Sequence, residues 1–216
     1  MRTRPLALLF ASALLAGGCG ACGQWLGPDA EIAQYLQAQG TASPRFAVPG
    51  GAEIVLTQVS FDHVLVKPEG EGFTAVGQVD AEGTYGGATQ VSYIGLERVP
   101  FIRSSGRWVP KGALLPAMQE VATLLLARHA AEEARDPAAI ERLVAKSWGD
   151  ERVAREAALA SMKERLAAGP AKAQPKRWIV RVERERCEVL EETSEGSTRL
   201  VLLREAGQLR IASGTL

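Results

Sequence analysis

Cys19 and Cys22, two of the three cysteines, stand in the stretch "LLAGGCGACGQ" at the spacing C-x-x-C. That spacing makes a redox dithiol when it opens a helix after a strand, because the helix amides lower the thiol pKa. Here it follows an apolar run and leads into "GQWLGP". A structural zinc site would need two further ligands at suitable spacing. Cys187 is remote, and the two histidines, His63 and His129, are scattered. Neither chemistry is expected, nor any metal or cofactor.

His129 has Glu132 and Glu133 one turn away, so H-x-x-E could place two metal ligands on one helical face. A catalytic zinc wants a third ligand, and no other histidine is near in sequence. A histidine late on a helix more often meets the helix dipole and a surface glutamate. His129→Ala and Asp62→Asn are therefore expected to cost only what surface substitutions cost, within about 0.5 kcal/mol. Asp62 and His63 are adjacent at a strand junction, where neighbours point to opposite faces and cannot pair directly. "RSSGR" lacks the first glycine of a nucleophile elbow. "GEGFTAVG" has no Lys-Ser/Thr and no following helix, so it reads as a turn and not a phosphate loop. No carboxylate pair is spaced for acid–base work. No catalytic residue is assigned, and the chain is not expected to be an enzyme.

The apolar run itself belongs to a leader. Arg2 and Arg4 give a positive start, "LALLFASALL" is apolar, and "AGG" precedes Cys19. This order is a secretory signal, too short to cross a bilayer core of about 30 Å. "LLAGGC" resembles the lipobox of bacterial lipoproteins, in which a leucine and two small residues precede a cysteine. The resemblance implies that the Cys19 thiol is diacylglycerylated, that residues 1–18 are removed, and that the new amino group is acylated. The family's leucine lies three before the cysteine, where this chain has Ala16, with Leu15 one residue further away. Cys22 competes as a site, but Cys19 occupies its leucine position. Ordinary cleavage near Gly18 or Ala21 would instead release a soluble secreted protein. Residues 19–28 then form a tether, in which Trp25 suits a membrane interface unless the first helix buries it. Cys187, left over in an oxidising envelope, has Cys22 as a possible partner.

After the leader roughly 195 residues remain, enough for one large or two small cores. The chain is 46% hydrophobic and 23% charged, which is ordinary for a folded protein. With 25 basic against 25 acidic side chains there is no basic stripe to neutralise phosphates, so nucleic acid is not an expected partner. "DAEIAQYLQAQ" predicts a helix with Ile32, Tyr35 and Leu36 on one face. From Glu53 to Pro110, β-rich runs broken by "PEGEG", "AEGTYGG" and "RSSG" predict four or five antiparallel strands. Residues 29–112 thus read as one helix-plus-sheet unit.

Residues 113–216 read as a second. A helix over Leu114–Ala134 carries Met118, Val121, Ala122 and Leu125 on one stripe. Asp136-Pro137 starts a short helix with Ile140, Leu143 and Val144, and a third carries Val153, Leu159, Met162 and Leu166. Three strands follow, and the phase change across "ERER" in the first predicts a bulge. "EARDPAAIERLVAKSW", then "RWIVRVERERCEVL" and "LVLLREAGQLRIAS", resemble the nuclear-transport-factor-like (SnoaL-like) α+β cone. The resemblance implies an α+β fold of the cystatin/nuclear-transport-factor kind, with three helices on a curved antiparallel sheet. "PFIRSSGRWVPKG" and "VLLREAGQLRIASG" echo each other as strand–turn–strand. Trp108, Trp148 and Trp178 are expected in cores.

The functional expectation is a lipid-anchored, periplasm-facing envelope protein, with the outer membrane favoured, acting as a non-catalytic binding or interaction module. Its partners would be membrane lipid through the acyl anchor, and an envelope protein or a small apolar ligand. The alternative is an enzyme or ligand carrier using the cavity of the C-terminal cone. Convergent titratable groups in a deep pocket would favour that alternative, and an interior filled by Trp178, Val180 and the helix leucines would favour the scaffold.

Overall fold

The computed structural model describes residues 27–149, 153–169 and 174–216. Cys19, Cys22 and Trp25 lie outside the described residues. Among those described, four helices pack on a large, mostly antiparallel sheet, so the fold is α+β. Helix α1 is Pro28–Ala38, followed by strands β1 (Arg45–Ala47), β2 (Glu53–Glu69), β3 (Gly72–Tyr85), β4 (Thr89–Ser104) and β5 (Arg107–Pro110). Helices α2 (Pro116–Glu133), α3 (Pro137–Leu143) and α4 (Arg155–Ala168) come next. Strands β6 (Arg177–Glu183), β7 (Arg186–Glu192), β8 (Ser197–Glu205) and β9 (Gln208–Gly214) close the chain.

The strand order is β1-β2-β3-β4-β6-β7-β8-β9, with β5 hydrogen-bonded to β4. Every neighbour pair is antiparallel except β4 and β6, which run parallel with Gln90–Gly95 alongside Arg177–Val182. A parallel pair needs a long crossover, and β5 with the three helices supplies it. The sheet therefore runs unbroken through the boundary expected near Lys111.

One sheet face is inside. On β4 it carries Val91, Tyr93, Gly95, Glu97, Val99 and Phe101, all buried, while Ile94, Leu96 and Ile102 on the other face are exposed. Helix α1 buries Ile32 and Leu36, and Tyr35 meets Phe101 edge to face at 5.7 Å. Helix α2 packs on β4 and β9, and α3 packs on α2. In the C-terminal half Trp178, Val180, Val189, Leu200 and Leu202 are buried with Leu125 of α2 and Ile140 of α3.

"EIVLTQVSF" and "HVLVK" form one strand, β2, whose register shifts between Asp62 and Leu65, where His63 takes φ +53°. One strand expectation is corrected. "RWIVRVERERCEVL" is not a bulged strand but the hairpin β6–β7, so four strands follow the helices and not three. Its two-residue turn puts Arg184 at φ +50°, in the left-handed region that such turns require. The change of apolar phase comes from chain reversal: Val182 pairs with Cys187 and Val180 with Val189, all on one face. The two echoing segments are β4–β5 and β8–β9. Both turn on two positive-φ residues, Ser105-Gly106 and Ala206-Gly207.

Candidate functional site

Among the described residues, a convergence of titratable groups sits between the end of α2 and the inner face of β6–β7. Successive turns of α2 bring Arg128, His129 and Glu132 to one side, and β7 brings Glu191 opposite them. Arg128 Nη1 lies 3.4 Å from Glu191 Oε1, and Nη2 lies 3.1 Å from Glu132 Oε1. His129 Nε2 is hydrogen-bonded to Glu191 Oε2 at 2.6 Å, and Nδ1 is 3.7 Å from Glu132 Oε2. Trp178 Nε1 donates to the same Glu191 oxygen at 3.1 Å. The Trp178 ring stacks between His129 (6.3 Å between centroids) and Tyr85 of β3 (5.3 Å). Arg165 of α4 reaches Glu132 Oε1 from the rim at 3.7 Å.

Burial of Arg128, Glu132 and Glu191 is tolerable only because each faces an opposite charge. Arg128, Glu132 and Glu191 are buried and His129 is 13% exposed. Glu132 has ion-pair distances but no hydrogen bond to either oxygen, and Arg128 Nε and Nη2 likewise lack one. Chemically the cluster can fix α2 to the sheet by pairing Arg128 with Glu132 and Glu191. It presents no nucleophile, and both His129 nitrogens face carboxylates. Of these groups only the rim residue Arg165 lines the cavity beside α4, and none lines the cavity beside the β6–β7 turn. His129 thus meets a buried glutamate of another element, not the surface glutamate expected, and a surface-type cost for its removal does not apply.

A second buried acid does different work. Tyr93, Gly95 and Glu97 follow one another on the inner face of β4, and Tyr93 donates to Glu97 Oε1 at 2.7 Å. Helix α2 begins at Pro116 with no capping side chain of its own. Glu97 serves instead, accepting from the amides of Ala117 (2.9 Å) and Met118 (3.0 Å). Burial pushes the Glu97 pKa up, against the three donors that pull it down. Burial and Glu97 together raise that of Tyr93, which keeps its proton to donate. Cys187 lies nearby on β7, with burial pushing its thiol up to about 12. A thiol held neutral in this way is not a nucleophile.

The remaining sequence candidates stay apart. Glu133 is exposed and accepts from Gln174, away from Glu132. Asp62 and His63 are exposed at the β2 irregularity. Trp148 and Trp178 are buried, and Trp108 is half-buried against Phe73 at 4.9 Å. Among the described residues no three His, Cys, Asp or Glu side chains are placed to hold a metal ion, and no helix is long and apolar enough to cross a membrane.

Sequence reasoning missed Arg128, Glu191, Glu97 and Tyr93. A signal for them was present. Glu97 falls in the apolar phase Val91, Tyr93, Val99, Phe101, and Glu191 in the phase of Cys187 and Val189. Arg128 and Glu132 continue the α2 stripe of Val121 and Leu125. A charge in a buried phase announces a partner but not which one. No family model, no curated protein and no solved structure matches the chain.

Proposed function

We propose that this chain is a lipid-anchored protein of the bacterial cell envelope, facing the periplasm, that acts by binding and not by turnover. The lipobox-like "LLAGGC" supports the anchor, with Cys19 as the acylated residue. The observation that carries the non-catalytic reading is how the C-terminal interior is used. Trp178, Val180 and the α2 leucines fill it, and its charged groups lie within ion-pair distance of one another. A general acid or base needs a face toward substrate, and His129 turns both nitrogens to carboxylates. The finer likeness to a nuclear-transport-factor-like cone belongs to this proposal, as do the outer membrane and an envelope partner.

The test has two arms. Cys19→Ala should leave an unprocessed precursor, or move the protein to the soluble fraction. The intact mass of the mature wild-type chain should begin at Cys19 and carry acyl groups. One acyl chain binds membranes only marginally, and several together hold stably. An unmodified mature mass would sink the anchor. In the second arm a folded, membrane-bound His129→Gln variant should keep the protein's cellular role. Loss of that role in such a variant would move the reading to catalysis.

A further inference from the structure

A cavity of about 800 Å³ lies between α4 and the outer side of β8 and β9. Its apolar wall is Trp148, Ala158, Met162 and Val201. Its charged wall is Arg165, Arg186 and Arg199, and among the described residues no acidic side chain lines it. Among the described residues, each acid that serves these arginines is shared. Glu188 takes both Arg186 (2.8 Å) and Arg199 (2.6 Å), and those guanidinium groups hold its pKa below the ordinary carboxylate range. Glu132 faces Arg165 only at 3.7 Å and already pairs with the buried Arg128. Among the described side chains the cavity wall therefore carries more positive than negative charge beside its apolar residues. Ser161, Ser213 and Thr215 add hydroxyls to its wall.

We propose that this cavity binds an amphipathic anion: an oxyanion head on the three arginines, with an alkyl body against Trp148, Ala158, Met162 and Val201. Its volume falls in the range of small-molecule sites, about 300–1,000 Å³, and both apolar and polar side chains line it. Guanidinium groups suit such a head because their forked donors match carboxylate and phosphate oxygens in pairs. Arg165 is the residue that reads the head. It alone among the three spans from the cavity to the buried cluster, so an oxyanion competes there with a long, shared ion pair and not with a close one. This deepens the binding reading and rests on it.

The experiment titrates the purified mature chain with dodecanoate and with monododecyl phosphate, below their micelle concentrations. Calorimetry and tryptophan fluorescence report binding. Dodecanol supplies the body without the head, and acetate and inorganic phosphate supply the head without the body. One saturable site is expected for at least one of the two amphiphiles, with the three controls at least tenfold weaker. Preference between dodecanoate and the phosphate ester identifies the head. Arg165→Ala should weaken binding at least tenfold, with Arg165→Lys restoring part of it. Ala158→Phe should block the alkyl body, and Trp148→Phe should remove the fluorescence change while calorimetry still detects binding. Thermal unfolding of each variant separates lost binding from lost structure, and Arg199→Ala offers an exposed position whose loss does not touch the core. No saturation by either amphiphile, or binding indifferent to both Arg165→Ala and Ala158→Phe, overturns the assignment. That failure would leave the Cys19 result standing, and a failed anchor would leave this titration standing.

Discussion

Tyr93 can reach Glu97 only because the residue between them on the face of β4 has no side chain. A Cβ at Gly95 would sit 2.6 Å from Tyr93 Oη and 2.8 Å from Val182 Cβ. The phenol lies across the space that any other residue would fill, and Val182 closes it from β6. Gly95→Ala is therefore expected to destabilise the fold by about 1–3 kcal/mol, the usual cost of forcing a methyl into a packed core. Urea denaturation measures it, and a change within about 0.5 kcal/mol, as at a surface position, would refute this account. His129 gives a second case. Removing its ring takes a 2.6 Å hydrogen bond from a buried carboxylate. His129→Ala should cost about 1–3 kcal/mol, the range for leaving a buried polar group short of a partner. The same measurement decides between that range and the smaller surface value.

Helix α2 is where the two halves of the chain are fastened, and it is fastened at both ends by strands. Its first turn takes the Glu97 carboxylate in place of a local cap, and its last turns dock Arg128 and His129 on Glu191. By contrast α3 is capped locally, by Asp136 accepting from the Ala139 amide at 2.9 Å, and that cap was legible as Asp-Pro. The difference explains what could be read in advance. Helix spans, the meander, the echoing hairpins and the α+β class follow from period and turn chemistry, which are local. The capping of α2 by Glu97 joins residues 20 apart, and the pairing of Arg128 with Glu191 joins residues 63 apart. No spacing rule encodes those. The β6–β7 hairpin was missed because its turn, Arg184-Glu185, uses no glycine where the left-handed conformation usually selects one. The Glu97 cap also has a pH signature. Its pKa is raised in the folded chain, so its contribution to stability is complete below the ordinary glutamate range and is lost as pH rises through the raised value. Glu97→Gln should lower stability overall, since an amide cannot accept in the place of both oxygens. It should also remove that part of the pH dependence. Urea titrations of both proteins from acid to neutral pH would show parallel profiles if Glu97 were not its source.

At the scale of the whole molecule, both sheet edges are managed and the middle is where the halves depend on each other. The β9 edge is covered by the segment after α3, whose Ala145 and Gly149 amides donate to Ile211 and Ala212. At the other edge β1 pairs with the start of β2, and the exposed outer end of β2 carries the register shift and Lys67-Pro68, features that discourage edge-to-edge pairing. The β4–β6 junction has no such protection, since each strand is the other's cover there. Across it Thr89 Oγ1 donates to the Pro175 carbonyl at 2.8 Å and Arg177 to Ser92 Oγ at 3.0 Å, while Tyr85 stacks on Trp178. Cutting the chain near residue 112 would bare the β6 edge, uncover Trp178 and strip α2 of the Glu97 cap. The full mature chain is therefore expected to unfold in one transition, with far-ultraviolet dichroism and tryptophan fluorescence lost together. Residues 113–216 alone should melt well below it or show no cooperative transition. A fragment that melts cooperatively at the full chain's temperature would make the junction a contact between two self-sufficient units. Two separate transitions in the full chain would say the same.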